Sequence, residues 1–82
     1  MTIWIVMYDD EIMGAFREKE DAYNFIVKDF TDSNAPVDEN SPYYKTDKEW
    51  FDNELANLKE EYENYSSFGC ADHWYASETL LE

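Results

Sequence analysis

The chain has 82 residues, with 20 Asp and Glu against 6 Lys and Arg, and a formal net charge of -14. Its length favours a single domain, 1–82, with little room for a deep catalytic cleft, while 44% hydrophobic and 18% aromatic residues are far above the content of a disordered acidic tail. The charge opposes binding to nucleic acid and to anionic membranes, so we expect neither as a partner.

The chain opens with a predicted β-hairpin. The segment Thr2 to Tyr8 is rich in β-branched and aromatic residues, which favour a strand. Asp9 and Asp10 supply turn chemistry before a second strand over 12–16. Both faces of the first strand are apolar, which is typical of a central strand. We therefore expect helices on one face and further protein or a partner on the other.

A first amphipathic helix follows the hairpin. Ala22, Ile26 and Phe30 recur on one helical stripe and predict a helix over 18–30. Residues 31–45 contain both prolines and several Asp, Asn and Ser residues, so we expect a loop. A loop of this length in a small domain is usually functional or variable in conformation.

The second helix and a last strand complete the predicted fold. The segment 46–49 (TDKE) fits a capping box and predicts a helix that begins at Thr46. Ser66, Ser67 and Gly69 are expected to end it, and 73–81 is predicted to be a strand. The apolar stripe of this helix comprises Phe51, Leu55, Leu58, Tyr62 and Tyr65. The order β-β-α-loop-α-β predicts a small α+β fold with an antiparallel three-stranded sheet and two helices.

The sequence gives little support for a catalytic, metal or cofactor site. Cys70 and His73 are only half of the ligand set of a zinc site. Gly14 and Gly69 are isolated, so a glycine-rich phosphate loop is not expected. The chain is expected to be non-enzymatic, with no cofactor and no metal; a small hydrolase that uses Cys70, His73 or paired carboxylates is the weakest alternative. The single cysteine and the lack of a signal-peptide pattern favour the cytoplasm.

The acidic residues carry the main functional signal. Acids at the hairpin turn, in the loop and along the second helix could together form a surface with phosphate-like charge, whereas a merely solvated surface or adaptation to high salt are the alternatives. Tyr43, Tyr44 and Trp50 lie off the main stripe, where they fit interface anchors or packing under the loop equally well. The candidate partner-binding carboxylates are Asp9, Asp10, Glu11, Asp38, Glu39, Asp47, Glu54, Glu60, Glu61 and Glu63.

The acidic second helix and the hairpin support a resemblance. In size, acidity and mixed core the chain resembles phage-encoded inhibitors of bacterial defence, the anti-CRISPR and anti-restriction proteins, many of which imitate DNA. Residues 3–26 (IWIVMYDDEIMGAFREKEDAYNFI) are also similar to the start of small phage proteins in which a hairpin ending in Gly-Ala-Phe leads to a helix.

The resemblance implies a DNA mimic that acts in the cytoplasm of a bacterial host. Its partner would be a basic nucleic-acid-binding protein, a CRISPR effector or restriction nuclease, whose DNA-binding or PAM-reading site it blocks. The alternative is an interaction module that binds a host protein mainly through aromatic and apolar surface. A homodimer is also compatible with the sequence, because two copies would lengthen an acidic surface.

Overall fold

The fold is a four-stranded antiparallel sheet with two helices packed on one face. The computed structural model describes residues 1–34 and 39–80. The strands lie in the order β2-β1-β4-β3. The elements are β1 (Thr2–Tyr8), β2 (Glu11–Phe16), α1 (Lys19–Asn34), α2 (Tyr44–Asn64), β3 (Ser67–Cys70) and β4 (Trp74–Leu80).

The predicted three-stranded sheet is wrong, because β3 is a strand that pairs with β4. Ser67 and Gly69 were expected only to end the second helix. They instead alternate with Phe68 and Cys70, whose side chains are buried against the helices. A strand of four residues is too short for its period of two to stand out from a serine- and glycine-containing helix end.

The predicted helix boundaries are also wrong near the loop. α1 continues to Asn34, whose side-chain amide donates to the carbonyl oxygen of Phe30, with 2.8 Å between Nδ2 and O. α2 already begins at Tyr44, and no side-chain cap is formed at its start, so the capping box at Thr46 does not set the boundary. Six of the fifteen residues of the expected loop, 31–34 and 44–45, are therefore helical. The described part of β4 ends at Leu80, and residue 81 of the predicted strand lies outside the described residues.

The core joins the helices to the middle of the sheet. The stripe predicted for α1 is confirmed, since all three of its residues are buried. In α2, Leu58 is fully buried and most of the stripe packs around it, but Tyr65 is 61% exposed because it follows the last helical residue. The largest fully buried side chains are Phe30, Phe68, Ile26, Leu58 and Val6.

The turn between β3 and β4 holds two residues in the left-handed backbone region. Ala71 has a φ of 54° and Asp72 a φ of 62°. A side chain with a Cβ is disfavoured there, and alanine has no polar side chain to compensate.

We expect Ala71→Gly to raise the free energy of unfolding by about 1 kcal/mol, because glycine adopts positive φ without this penalty. Urea denaturation measures the change. Ala15→Gly in β2 is the matched control and should instead destabilise by about 0.5–1 kcal/mol. A loss of stability in both variants would contradict the expected strain at Ala71.

Candidate functional site

A groove of about 520 Å³ lies between α2 and the β3–β4 hairpin. No lysine or arginine is found among the described residues that line it. Two tyrosines of its lining, Tyr65 and Tyr75, are 61% and 48% exposed. We call this feature the acidic groove and define it by four carboxylates and two tyrosines: Glu54, Glu60, Glu61, Asp72, Tyr65 and Tyr75.

Two of these carboxylates are fixed by the backbone of the hairpin. Glu54 and Glu61 are two helical turns apart and lie on the same side of α2. Glu61 Oε1 accepts from the Gly69 amide at 3.2 Å, and Glu54 Oε2 accepts from the Ala71 amide at 2.9 Å. The first bond satisfies an amide of the edge strand β3, which would otherwise be open to pairing with another chain, and the second satisfies an amide of the β3–β4 turn. Because a carboxylate has two oxygens, each side chain keeps a second one for a ligand.

The thiol beside the acidic groove is held in its neutral form. Burial, followed by the negative charges of Glu54 and Glu61, raises the pKa of Cys70 from 9.0 to about 12. Since the thiolate is the nucleophile and the metal ligand, a protonated Cys70 is poorly suited to either role. The described residues contain no group of three side chains able to hold a metal ion.

The raised pKa predicts a loss of stability at high pH. Above about pH 9 the unfolded thiol loses its proton while the folded thiol keeps it up to about pH 12. The unfolded state then binds fewer protons, so the free energy of unfolding falls by about 1.4 kcal/mol per pH unit across this window.

Denaturation of the wild type and of Cys70→Ala between pH 8 and pH 11 measures this slope. Other groups titrate equally in both proteins, so the difference isolates the thiol. Parallel curves would contradict the expectation.

The structure brings only three of the predicted site residues into the acidic groove: Glu54, Glu60 and Glu61. The turn acids lie apart from it. Asp9 Oδ1 pairs with His73 Nδ1 at 2.8 Å, and the Asp9 amide donates to the carbonyl oxygen of His73. Asp10 and Glu11 are exposed at the β1–β2 turn and the start of β2.

The acids on the outer side of α2 are partly neutralised. Glu63 pairs with Lys59 at 3.9 Å, and Asp52 pairs with Lys48 at 3.2 Å. Asp47 is exposed in the first turn of the helix, and Glu39 is exposed before it. Asp38 lies outside the described residues. The helix therefore does not present one continuous row of uncompensated carboxylates.

One of the three predicted aromatic anchors, Trp50, lines a second groove, also of about 520 Å³. Trp50 is 44% exposed in its wall and contacts Phe30, with 5.6 Å between ring centroids. Tyr43 is 69% exposed, whereas Tyr44 is half-buried. We call this feature the aromatic groove; its lining includes Tyr8, Met13, Trp50, His73 and Trp74.

Sequence reasoning missed three members of the acidic groove. Tyr65 was assigned to the apolar stripe, and Tyr75 and Asp72 were not singled out. Asp72 enters the groove because the β3–β4 turn folds beside α2. No local signal marks all three, because Asp72 and Tyr75 reach the groove through the β3–β4 hairpin and Tyr65 through the end of α2.

No helix among the described residues is long and apolar enough to cross a membrane. Comparison with protein-family models, curated proteins and solved structures finds no match to this chain.

Proposed function

We propose that the protein is a non-enzymatic inhibitor that acts in the bacterial cytoplasm and uses carboxylates in place of DNA phosphates. Its target would be the DNA-binding or PAM-reading site of a defence nuclease, a CRISPR effector or a restriction enzyme. The observation that carries this proposal is the acidic groove, which gathers four carboxylates and no lysine or arginine among its described lining residues.

The chemistry of the groove suits lysine and arginine side chains. Carboxylates accept charge-assisted hydrogen bonds from these cations, and arginine can take two in parallel. Glu54 and Glu61 are already oriented by backbone amides, so less side-chain freedom is lost when a cation binds. The exposed rings of Tyr65 and Tyr75 add cation–π contacts.

The overall charge of the protein is about half that of a DNA duplex of the same length. The protein is 51 Å long, and a duplex of that length carries about 30 phosphates. The net charge of -14 is distributed over the whole surface of the protein. A basic cleft that holds DNA would therefore attract this protein over a long range, with fast and salt-sensitive association.

Capture from bacterial lysate tests the proposal with variants of matched charge. Glu60→Gln/Asp72→Asn removes two exposed groove charges that cap no backbone amide, and Glu18→Gln/Glu20→Gln removes two exposed charges near the start of α1. We expect the groove variant to bind the captured nuclease at least about tenfold more weakly and the control within about twofold of the wild type.

Salt provides the second arm of this experiment. Raising the salt from about 0.15 M to about 1 M shortens the screening length from about 8 Å to about 3 Å, so the captured nuclease should be released. Equal losses in both variants would show that only net charge matters. A partner retained at high salt and unaffected by the groove variant would contradict the proposal.

The aromatic groove favours a second candidate, an interaction module held by apolar contacts. Trp50 is 44% exposed in the wall of a groove that it shares with the rings of Tyr8 and Trp74, and an exposed Trp of this kind is a common interface anchor. Here Trp50→Ala should abolish capture of a host protein and salt should have little effect. Trp50→Ala without effect on capture would dismiss this candidate.

A further inference from the structure

One face of the sheet is uncharged in a chain where 32% of residues carry charge. Residues opposite one another in an antiparallel sheet share a face, so the pairing register identifies the side chains that point away from the helices. Among the described residues that these registers pair, ten lie on this side, and none of the ten is Asp, Glu, Lys or Arg. We call it the open face: Ile3, Ile5, Met7, Ile12, Ala15, Ser67, Gly69, Tyr75, Ser77 and Thr79.

The open face is also apolar where a solvated face would be polar. An antiparallel sheet with one wet side normally alternates apolar and polar residues along each strand. Here β1 instead places Ile3, Ile5 and Met7 on the side away from the helices. The neighbouring strands add Ile12 and Tyr75, which are 65% and 48% exposed. Thus no described residue covers the predicted second apolar side of β1.

The distribution of charge indicates which kind of molecule covers the open face. A basic partner would gain no ion pair on a face without carboxylates, and an anionic membrane would repel a chain of net charge -14. A second copy fits, because face-to-face packing of two open faces sets no like charges of the described, paired residues opposite each other. We infer that the open face is the interface of a symmetric homodimer, formed by two sheets about 10 Å apart.

The size of the open face sets the strength of the dimer. Four strands at about 4.8 Å spacing and seven residues at about 3.3 Å cover roughly 440 Å² per copy, or roughly 900 Å² in total. Stable interfaces bury about 1,200–2,000 Å², so the dimer should be weak, with a Kd between about 10 μM and 1 mM. This inference does not rest on the carboxylates of the acidic groove, although Gly69 and Tyr75 belong to both surfaces.

Salt should strengthen the dimer, in contrast to its effect on binding of a basic partner. Two copies of net charge -14 repel each other beyond the interface, and screening removes this repulsion. The hydrophobic contribution of the open face remains at high salt. Salt therefore distinguishes the open face from the acidic groove. Self-association through the open face should rise with salt, whereas binding of a basic partner in the acidic groove should fall.

Sedimentation velocity of the wild type at increasing protein concentration, in about 0.1 M and about 1 M salt, tests the dimer. The variant Ile12→Glu places a charge on the open face. Leu80→Glu is its control: it adds the same charge at a residue 68% exposed, which pairs with Thr2 on the other side of the sheet. We expect concentration-dependent dimers at high salt for the wild type and Leu80→Glu, and monomers for Ile12→Glu.

Ser77→Lys distinguishes an effect of burying the open face from an effect of net charge on self-association. This variant lowers the net negative charge, so a repulsion-only account predicts more dimer, whereas a buried lysine in the interface predicts monomers. It also replaces Ile12→Glu if that variant fails to fold. A wild type that stays monomeric up to about 1 mM at high salt would overturn the inference. Dimers that persist in the open-face variants, or vanish in Leu80→Glu, would overturn it as well.

Discussion

Lys19→Met is expected to lower the free energy of unfolding by about 3 kcal/mol. This is a large effect for a lysine, a residue type that usually lies at the surface. Lys19 Nζ donates to the carbonyl oxygens of Tyr62 and Tyr65, the latter at 2.7 Å. These carbonyls belong to the C-terminal end of α2, where a cation is favoured by the helix dipole. The ammonium also lies 5.7 Å from the ring centroid of Trp4 and 6.0 Å from that of Phe68.

Urea denaturation of Lys19→Met against Lys28→Met measures this contribution. Lys28 forms an exposed ion pair with Asp32 on the surface of α1, so its loss should have little effect on the free energy of unfolding. Both variants remove one positive charge and keep an unbranched side chain. Equal destabilisation would mean that the general loss of a cation, and not the contacts at the end of α2, causes the effect.

Phe30→Ala should have the largest effect on stability, a loss of about 4 kcal/mol. The fully buried ring of Phe30 joins three elements. It stacks on Phe51 of α2 at 5.1 Å and meets Trp74 of β4 edge-on at 5.4 Å, both measured between ring centroids. A domain of this size has a total stability of only about 4–12 kcal/mol, so the variant should be substantially unfolded at 37 °C.

Near-ultraviolet circular dichroism during thermal denaturation follows this loss. Phe25→Ala is the control, because the half-buried ring of Phe25 packs mainly on Phe16, 5.5 Å away, at the edge of the core. It should cost about half as much. If the two variants melt at the same temperature, Phe30 is not the residue that links the helices to the sheet.

Local patterns predicted the parts of the fold whose residues lie close together in sequence. The β1–β2 hairpin, the buried stripe of α1 and the central place of β1 all follow from periodicity and turn residues. The β3 strand could not be predicted in this way, because its pairing depends on a turn with positive φ at Ala71, a residue that carries no turn signal.

Only part of the candidate site could be predicted from the sequence. Glu54 and Glu61 were selected for their charge, yet each also fixes a backbone amide of the β3–β4 hairpin. Asp72 and Tyr75 reach the acidic groove through tertiary packing that no local pattern encodes. Composition thus predicted an acidic surface, whereas the position of its groove depends on how the hairpin packs beside α2.

The most direct test of the central claim is competition with DNA for the captured partner. Fluorescence anisotropy of a labelled duplex bound to that partner should fall to the value of free duplex as this protein is added. Glu60→Gln/Asp72→Asn should need at least about tenfold more protein for the same fall. Anisotropy that stays high or rises, through a ternary complex, would contradict the claim that this chain takes the place of DNA.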